Sequence, residues 1–150
     1  MVLPGARSMR FVYISGAISA KDYWEREQNI RRAEDAFVAI SRLGLSAYLP
    51  HTIARYAEGA LPLQEWLRRD FNVMRRCDGI VMVKGWETSK GANTEKAYAE
   101  QIGLAVFEWP TDLQALREWG YAPSKVGCVN CGKELEGYKR LLKEPLPGDN

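Results

Sequence analysis

The chain has few of the residues that build metal centres and disulfide frameworks. Its 150 residues include 3 cysteines and 1 histidine. Three cysteines allow at most one disulfide within the chain, and a single histidine excludes a histidine-rich metal cluster. We therefore expect no cofactor and no bound metal. One alternative stays open, because Cys128 and Cys131 form a C-x-x-C pair that could bind zinc together with Cys77 and His51.

The chain also lacks a large excess of charge and a long apolar run. Its 21 Lys and Arg residues against 19 Asp and Glu residues leave a net charge of +2, which offers little attraction to a nucleic-acid backbone. No apolar run approaches the roughly 18 residues of a membrane helix, and the first ten residues lack the apolar segment of a secretory signal. We expect a cytoplasmic protein whose partners include no nucleic-acid polymer and no membrane. An apolar content of 46% is typical of one globular domain with its own core.

Short apolar runs alternate with amphipathic stretches over residues 10–119. The runs predicted as strands are Arg10–Ser15, Leu45–Leu49, Gly79–Val83 and Leu104–Glu108. The stretches predicted as helices are Asp22–Leu43, Leu63–Cys77, Gly91–Gly103 and Thr111–Trp119, with His51–Pro62 as an irregular connection. This alternation predicts an α/β fold, a parallel sheet with helices on both faces. Residues 1–9 are predicted as a disordered leader and residues 120–150 as a C-terminal arm.

An anion-binding pattern follows the strongest predicted strand. A loop with Ser89 and Gly91 leads into a helix whose first turn holds Ala92. Free backbone N–H groups at the start of a helix, beside a hydroxyl and a residue without a side chain, form a cradle for an anion. The alternative is that Ser89 only caps the helix and that Glu95 complements its dipole.

Glu95 and Asp70 are the candidate catalytic carboxyls. Glu95 follows Gly91 by four residues, which places it on the face of the cradle and one turn deeper. Asp70 adjoins the apolar positions of the preceding helix, so it can point inward as a catalytic acid or as a hydrogen-bonded structural acid. Displacement at the anomeric carbon of a sugar requires a nucleophilic carboxylate and a proton-donating carboxyl. Asp78 is expected at the opposite, amino edge of the sheet with a structural role.

The end of the first strand and one aromatic residue complete the candidate site. The first predicted strand ends at the edge where parallel sheets bind ligands, and Tyr13, Ser15 and Gly16 lie at this end. A tyrosine hydroxyl can orient a carboxylate, and a glycine lets a ligand approach the backbone or simply allows a turn. Trp86 lies in the predicted site loop, where its ring can stack on a nucleobase, whereas Trp66 is interpreted as a core or interface residue.

The motifs YISG, RDFNVMRRCDGIVMV and SKGANTE occur in this order within residues 10–108. On these motifs the chain resembles the nucleoside 2-deoxyribosyltransferase superfamily. The resemblance is closest to the deoxynucleoside 5′-monophosphate N-glycosidases and to related small phage and bacterial proteins. It implies a flavodoxin-like, Rossmann-like sheet of four to five parallel strands. It also implies that Glu95 is the nucleophile that forms a glycosyl ester, that Asp70 is the acid that handles the base, and that Tyr13 holds the nucleophile.

Ser89 separates two branches of the superfamily that the chain resembles. Transferases that act on free nucleosides usually have an aspartate at this position, whereas the monophosphate hydrolases have a serine that contacts phosphate. A carboxylate there would repel a 5′-phosphate, and a hydroxyl would bind it. The resemblance therefore implies an enzyme that hydrolyses the N-glycosidic bond of (deoxy)nucleoside 5′-monophosphates.

The resemblance also implies a small-molecule nucleotide or nucleoside as partner and a homodimer or larger homo-oligomer. Three other functions stay open for the same fold, because fold does not fix function. They are a base-exchanging nucleoside 2-deoxyribosyltransferase, a hydrolase of the N-glycosidic bond of nicotinamide dinucleotide, and a non-catalytic protein that senses a nucleotide.

Overall fold

A computed structural model of the chain describes residues 10–121. The predictions for residues 1–9 and 122–150, including the Cys128 and Cys131 pair, lie outside the described residues. The elements are β1 (Phe11–Ser15), α1 (Tyr23–Arg42), β2 (Ser46–Tyr48), α2 (Pro50–Ala57), α3 (Leu63–Met74), β3 (Gly79–Val83), α4 (Lys90–Gln101), β4 (Ala105–Trp109) and α5 (Leu113–Tyr121). A short 3₁₀ turn, Trp86–Thr88, lies between β3 and α4. None of the helices in residues 10–121 is long and apolar enough to cross a membrane.

The four strands form one parallel sheet in the order β2-β1-β3-β4. This is the strand order of the flavodoxin-like arrangement, so the predicted fold class is confirmed. The chain moves outward from β1 to β2 and then crosses to β3 on the other side of β1. The strand order therefore reverses between β1 and β3, where Ser15 is paired with Met82. Ligands of open parallel sheets bind at this switch point, outside the carboxyl ends of the strands.

Alternation along the strands divides the core into two layers. One layer packs α1 and α5 on the sheet and contains Val12, Ile14, Ala33, Ala36, Ile40, Leu45, Val81, Val83 and Leu116. The other layer packs α3 and α4 on the opposite face and contains Tyr13, Met74, Cys77, Ile80, Met82, Ala92 and Ala99. Because Ser15 lies two residues after Tyr13, both side chains face α3 and α4. The switch point is therefore open to side chains from these two helices.

The prediction of an irregular connection over His51–Pro62 is wrong for its first half, which forms α2. Pro50 occupies the first helical turn, where its fixed φ and missing N–H are favourable. Arg55 holds α2 against α1 through ion pairs with Glu27 at 2.6 Å and with Glu34. The sequence pattern missed this helix because it spans 8 residues and two of its larger apolar side chains are exposed.

The other predicted elements exist, with differences of up to three residues at their ends. The strand Gly79–Val83 has the predicted bounds. The helix from Leu63 ends at Met74 rather than at Cys77, and the last described helix runs to Tyr121, beyond the predicted domain limit at residue 119. The division of the whole chain into leader, domain and arm stays a prediction.

Candidate active site

Glu95 lies on the inward face of α4, and its side chain faces the end of β1. The residue is 7% exposed, and each oxygen of its carboxyl group has a hydroxyl partner. Tyr13 Oη donates to Oε1 at 3.0 Å, and Ser15 Oγ donates to Oε2. Both donors are fully buried. Two donors from one strand thus hold the Glu95 carboxyl group in one orientation.

Asp70 reaches the same place from α3. Met74, one helical turn further along α3, is fully buried in the core, and the four-residue spacing places Asp70 on the same face. The Asp70 carboxyl group interacts with both Tyr13 and Glu95. The structure therefore brings together the two carboxyls that the sequence singled out, which lie 25 residues apart in the chain.

Burial and mutual repulsion shape the protonation of this pair. Burial raises the pKa of Glu95, the hydrogen bond from Ser15 lowers it, and the Asp70 charge raises it again. Burial also raises the pKa of Asp70 to about 6, against the effect of its interactions with Tyr13 and Glu95. Burial and the Glu95 charge raise the pKa of Tyr13 well above its ordinary value, so its hydroxyl remains a donor. Two carboxyls that interact this closely titrate as a pair and share a proton near neutral pH.

Tyr48 is a neighbour of the pair that sequence reasoning missed. It is the register partner of Tyr13 on β2, and the two rings are stacked with centroids 5.8 Å apart. Burial raises the pKa of Tyr48, and the nearby Asp70 charge adds to the effect. The parallel register of the first two strands was the signal that could have found it, because register partners project from the same face of a sheet.

The start of α4 is capped by a side chain. Ser89 Oγ accepts a hydrogen bond from Ala92 N at 3.2 Å, and Ser89 O accepts one from Asn93 N at 3.0 Å. The capping that the sequence left open as an alternative is therefore present, and the Ala92 amide is bonded to Ser89; contact of Ser89, Gly91 and Ala92 with substrate stays a prediction. The amides of Lys90 and Gly91 precede the first intrahelical bond, and no acceptor for either lies within residues 10–121. A Cβ at Gly91 would meet only Ser89 Oγ, at 3.9 Å, so the space beside it is open.

Ser15, Gly16 and Trp86 were predicted to contact substrate. The observed partner of Ser15 is Glu95, so the serine lies behind the carboxyl group. A Cβ on Gly16 would lie 3.0 Å from Val83 Cβ, so close packing against Val83 is enough to explain a glycine at this position. The Trp86 ring is half-buried beside α4, with Lys96 Nζ 5.5 Å from its centroid. Contact of these three residues with substrate stays a prediction.

The cysteine and histidine of the zinc alternative lie far apart in the fold. Cys77 precedes β3 at the amino edge of the sheet, whereas His51 follows β2 at the carboxyl edge. Within residues 10–121, no group of three or more His, Cys, Asp and Glu side chains could hold a metal ion. Asp78 lies at the amino edge, as predicted, where its Oδ2 accepts a hydrogen bond from Phe11 N at 2.8 Å.

Fold and site together define an α/β domain of flavodoxin-like strand order with a buried carboxyl pair at its switch point. The chain belongs to the family described as Domain of unknown function (DUF4406), whose model matches residues 10–108. Among solved structures, the chain is similar to the Clostridium botulinum CMP N-glycosidase BcmB. The sequence identity is 13%, the match covers 88% of this chain and 99% of that chain, and the TM-score is 0.44. A search of curated proteins found no match.

Proposed function

We propose that the protein hydrolyses the N-glycosidic bond of (deoxy)nucleoside 5′-monophosphates through a covalent intermediate on Glu95. The observation that carries the proposal is the arrangement of Glu95, whose carboxyl oxygens are held by Tyr13 and Ser15 while Asp70 lies against it. A fixed carboxylate next to a second carboxyl that can carry a proton is the pair that retaining glycoside cleavage uses. The carboxyl pair lies at the switch point, and parallel sheets of this kind bind their ligands there.

In the first step, a Glu95 oxygen attacks C1′ of the sugar as the C1′–N bond breaks. The base leaves with the bonding electrons and takes a proton from Asp70. The hydrogen bonds from Ser15 and Tyr13 favour the charged form of Glu95, whereas its burial and the Asp70 charge raise its pKa above that of Asp70, so the shared proton has to pass from Glu95 to Asp70 before the attack. The negative charge of Glu95 also stabilises the oxocarbenium-like transition state.

In the second step, water hydrolyses the glycosyl ester. Its oxygen bonds to C1′, the Asp70 carboxylate accepts its proton, and the bond from C1′ to Glu95 breaks. The Glu95 carboxylate is restored and the sugar 5-phosphate leaves. Over both steps one water is added across the N-glycosidic bond, and no other reactant is needed.

The 5′-phosphate is assigned to the start of α4. The amides of Lys90 and Gly91 lie at the positive end of the helix dipole, and the space above Gly91 is open. The Ser89 hydroxyl accepts the capping bond and keeps its own proton to donate to phosphate. Lys84 and Lys90 are exposed beside the loop and add positive potential.

The test of this function is release of free base from a panel of nucleotides by purified protein. The panel contains the four 2′-deoxynucleoside 5′-monophosphates, their nucleosides and nicotinamide dinucleotide, each with and without a second free base. We expect base and sugar phosphate from at least one monophosphate, and Glu95→Gln should lower the rate at least about a hundredfold. Glu100→Gln is the matched control, because this exposed carboxylate lies on the same helix and pairs with Lys96.

The other outcomes separate the alternatives. Formation of a new nucleoside from the added base would identify a transferase. Binding of nucleotides without release of base from any of them would identify a sensor. Near-normal turnover by the Glu95→Gln variant would contradict the covalent mechanism.

A further inference from the structure

Tyr13 is held from both sides by residues of the neighbouring strands. Its register partner on β3 is Ile80, which is fully buried, and its register partner on β2 is Tyr48. Register partners on parallel strands project from the same face, so Ile80 and Tyr48 flank the Tyr13 side chain. The Tyr13 ring cannot shift sideways while both neighbours are in place.

Of the two residues that flank the Tyr13 ring, Tyr48 on β2 is held less firmly than Ile80 on β3. β2 is an edge strand of 3 residues, and Tyr48 is half-buried, whereas Ile80 lies in the middle of the sheet. The rings of Tyr13 and Tyr48 are inclined by 27° with centroids 5.8 Å apart, within the range in which aromatic rings attract each other. This stack is the contact that closes the β2 side of Tyr13.

The position of the Tyr13 ring decides a hydrogen bond of the site. Tyr13 Oη lies 3.0 Å from Glu95 Oε1, near the upper limit for an O–H···O bond. A sideways shift of about 1 Å would take the hydroxyl out of bonding range. Tyr48 also lies near enough to Asp70 for the Asp70 charge to raise its pKa.

We propose that Tyr48 is a positioning residue, whose ring holds Tyr13 where its hydroxyl binds Glu95. The expected effect on kcat rests on the proposed function, whereas the expected effect on the Tyr13–Glu95 hydrogen bond does not. The ring is the part of Tyr48 that acts, since no hydrogen bond of its hydroxyl is found within residues 10–121. A phenylalanine at position 48 should therefore preserve the position of Tyr13, and a smaller aliphatic residue without a ring should not.

The kinetic test compares Tyr48→Phe and Tyr48→Leu in the full chain. We expect Tyr48→Phe to stay within about twofold of the unmodified protein, and Tyr48→Leu to lose about tenfold in kcat with KM nearly unchanged. In a Tyr13→Phe background, Tyr48→Leu should cost less than about twofold, because no hydroxyl is left to misplace. Tyr56→Leu is the control, because this tyrosine of α2 is 92% exposed. A full further tenfold loss in the Tyr13→Phe background would overturn the inference.

The second readout needs no turnover. The pKa of Glu95 is followed by carboxyl-carbon NMR in the same variants. Because the bond from Tyr13 lowers this pKa, Tyr13→Phe and Tyr48→Leu should both raise it, and Tyr48→Phe should not. An unchanged pKa in Tyr48→Leu would overturn the inference even if base release is found. A raised pKa in a protein that releases no base would support the positioning role and contradict the proposed function.

Discussion

At the scale of single residues, the notable property of Glu95 is the kind of partner it has. Its carboxyl group is bound by two neutral hydroxyls, and no cation pairs with it among the ion pairs of residues 10–121. A lysine or arginine would neutralise the charge and weaken it as a nucleophile. Hydroxyls fix the orientation and, under the proposed function, leave the charge available to the reacting carbon.

The role of Asp70 as proton donor predicts a dependence on the leaving group. Asp70→Asn keeps the shape of the side chain and removes the proton, so substrates whose base leaves poorly should suffer most. We expect a loss of at least about a hundredfold in kcat/KM for a natural nucleotide and less than about tenfold for a p-nitrophenyl deoxyriboside 5-phosphate. The measurement is kcat/KM for both substrates on both proteins. Equal losses on the two substrates would show that Asp70 is structural.

The sequence could single out the two carboxyls that the fold brings together better than it could predict their hydrogen-bond partners. Helical spacing and the family resemblance together pointed to Glu95 and Asp70, because spacing fixes the face of a helix. They did not show that Ser15 donates to Glu95, because that contact joins residues 80 positions apart. Tyr48 was missed for the same reason, since its contact with Tyr13 depends on the register of two strands that are far apart in the chain. The sequence also left open whether Ser89 caps the helix, and only the structure shows its hydroxyl bonded to Ala92 N.

At the scale of elements, α2 does more than connect β2 to α3, because it also anchors the loop that follows β1. Glu58, directly after α2, accepts hydrogen bonds from Ser19 and from Arg26. Arg26 also donates to Ala54 O at 3.1 Å. Ser19 lies in the loop that follows β1, next to the switch point, so α2 anchors this loop. Periodicity could not predict this helix, since ion pairs and backbone bonds, rather than a wide apolar face, hold it in place.

The capped start of α4 gives a test of the phosphate assignment. Aspartate and asparagine are both good N-caps, so Ser89→Asp and Ser89→Asn should each preserve the helix while only the first adds negative charge. We expect the unmodified protein to favour a monophosphate over its nucleoside at least about tenfold in kcat/KM. Ser89→Asp should erase or invert this preference, and Ser89→Asn should largely keep it. An unmodified protein that favours the nucleoside would contradict the assignment.

At the scale of the whole molecule, the site is assembled by the topology more than by any segment. β1 supplies Tyr13 and Ser15, α3 supplies Asp70, and α4 supplies Glu95. Alternating apolar runs predicted this sheet and hence the edge at which a ligand binds. They could not predict which helix would lie over which strand, and the expected homo-oligomer stays a prediction.

Burial of the carboxyl pair should make the stability of the whole domain depend on pH. The pKa values of Glu95 and Asp70 are raised in the folded protein, so the unfolded chain releases these protons first as pH rises. The stability that depends on the protonated pair is complete below about pH 4, the ordinary range of carboxyls, and is lost as pH rises through the folded pKa values. Glu95→Gln removes one of the two buried charges and should escape most of this loss.

We therefore expect Glu95→Gln to gain stability relative to the unmodified protein between pH 4.5 and pH 8. Each unit of pKa shift is worth about 1.4 kcal/mol, so the difference in unfolding free energy should grow by at least about 1 kcal/mol over this range. Urea unfolding at several pH values measures it, and the titration of all other groups largely cancels in the difference. Glu100→Gln, which changes an exposed carboxylate of the same helix, is the matched control. A flat difference for Glu95→Gln would mean that the pair is already ionised in the folded protein without cost.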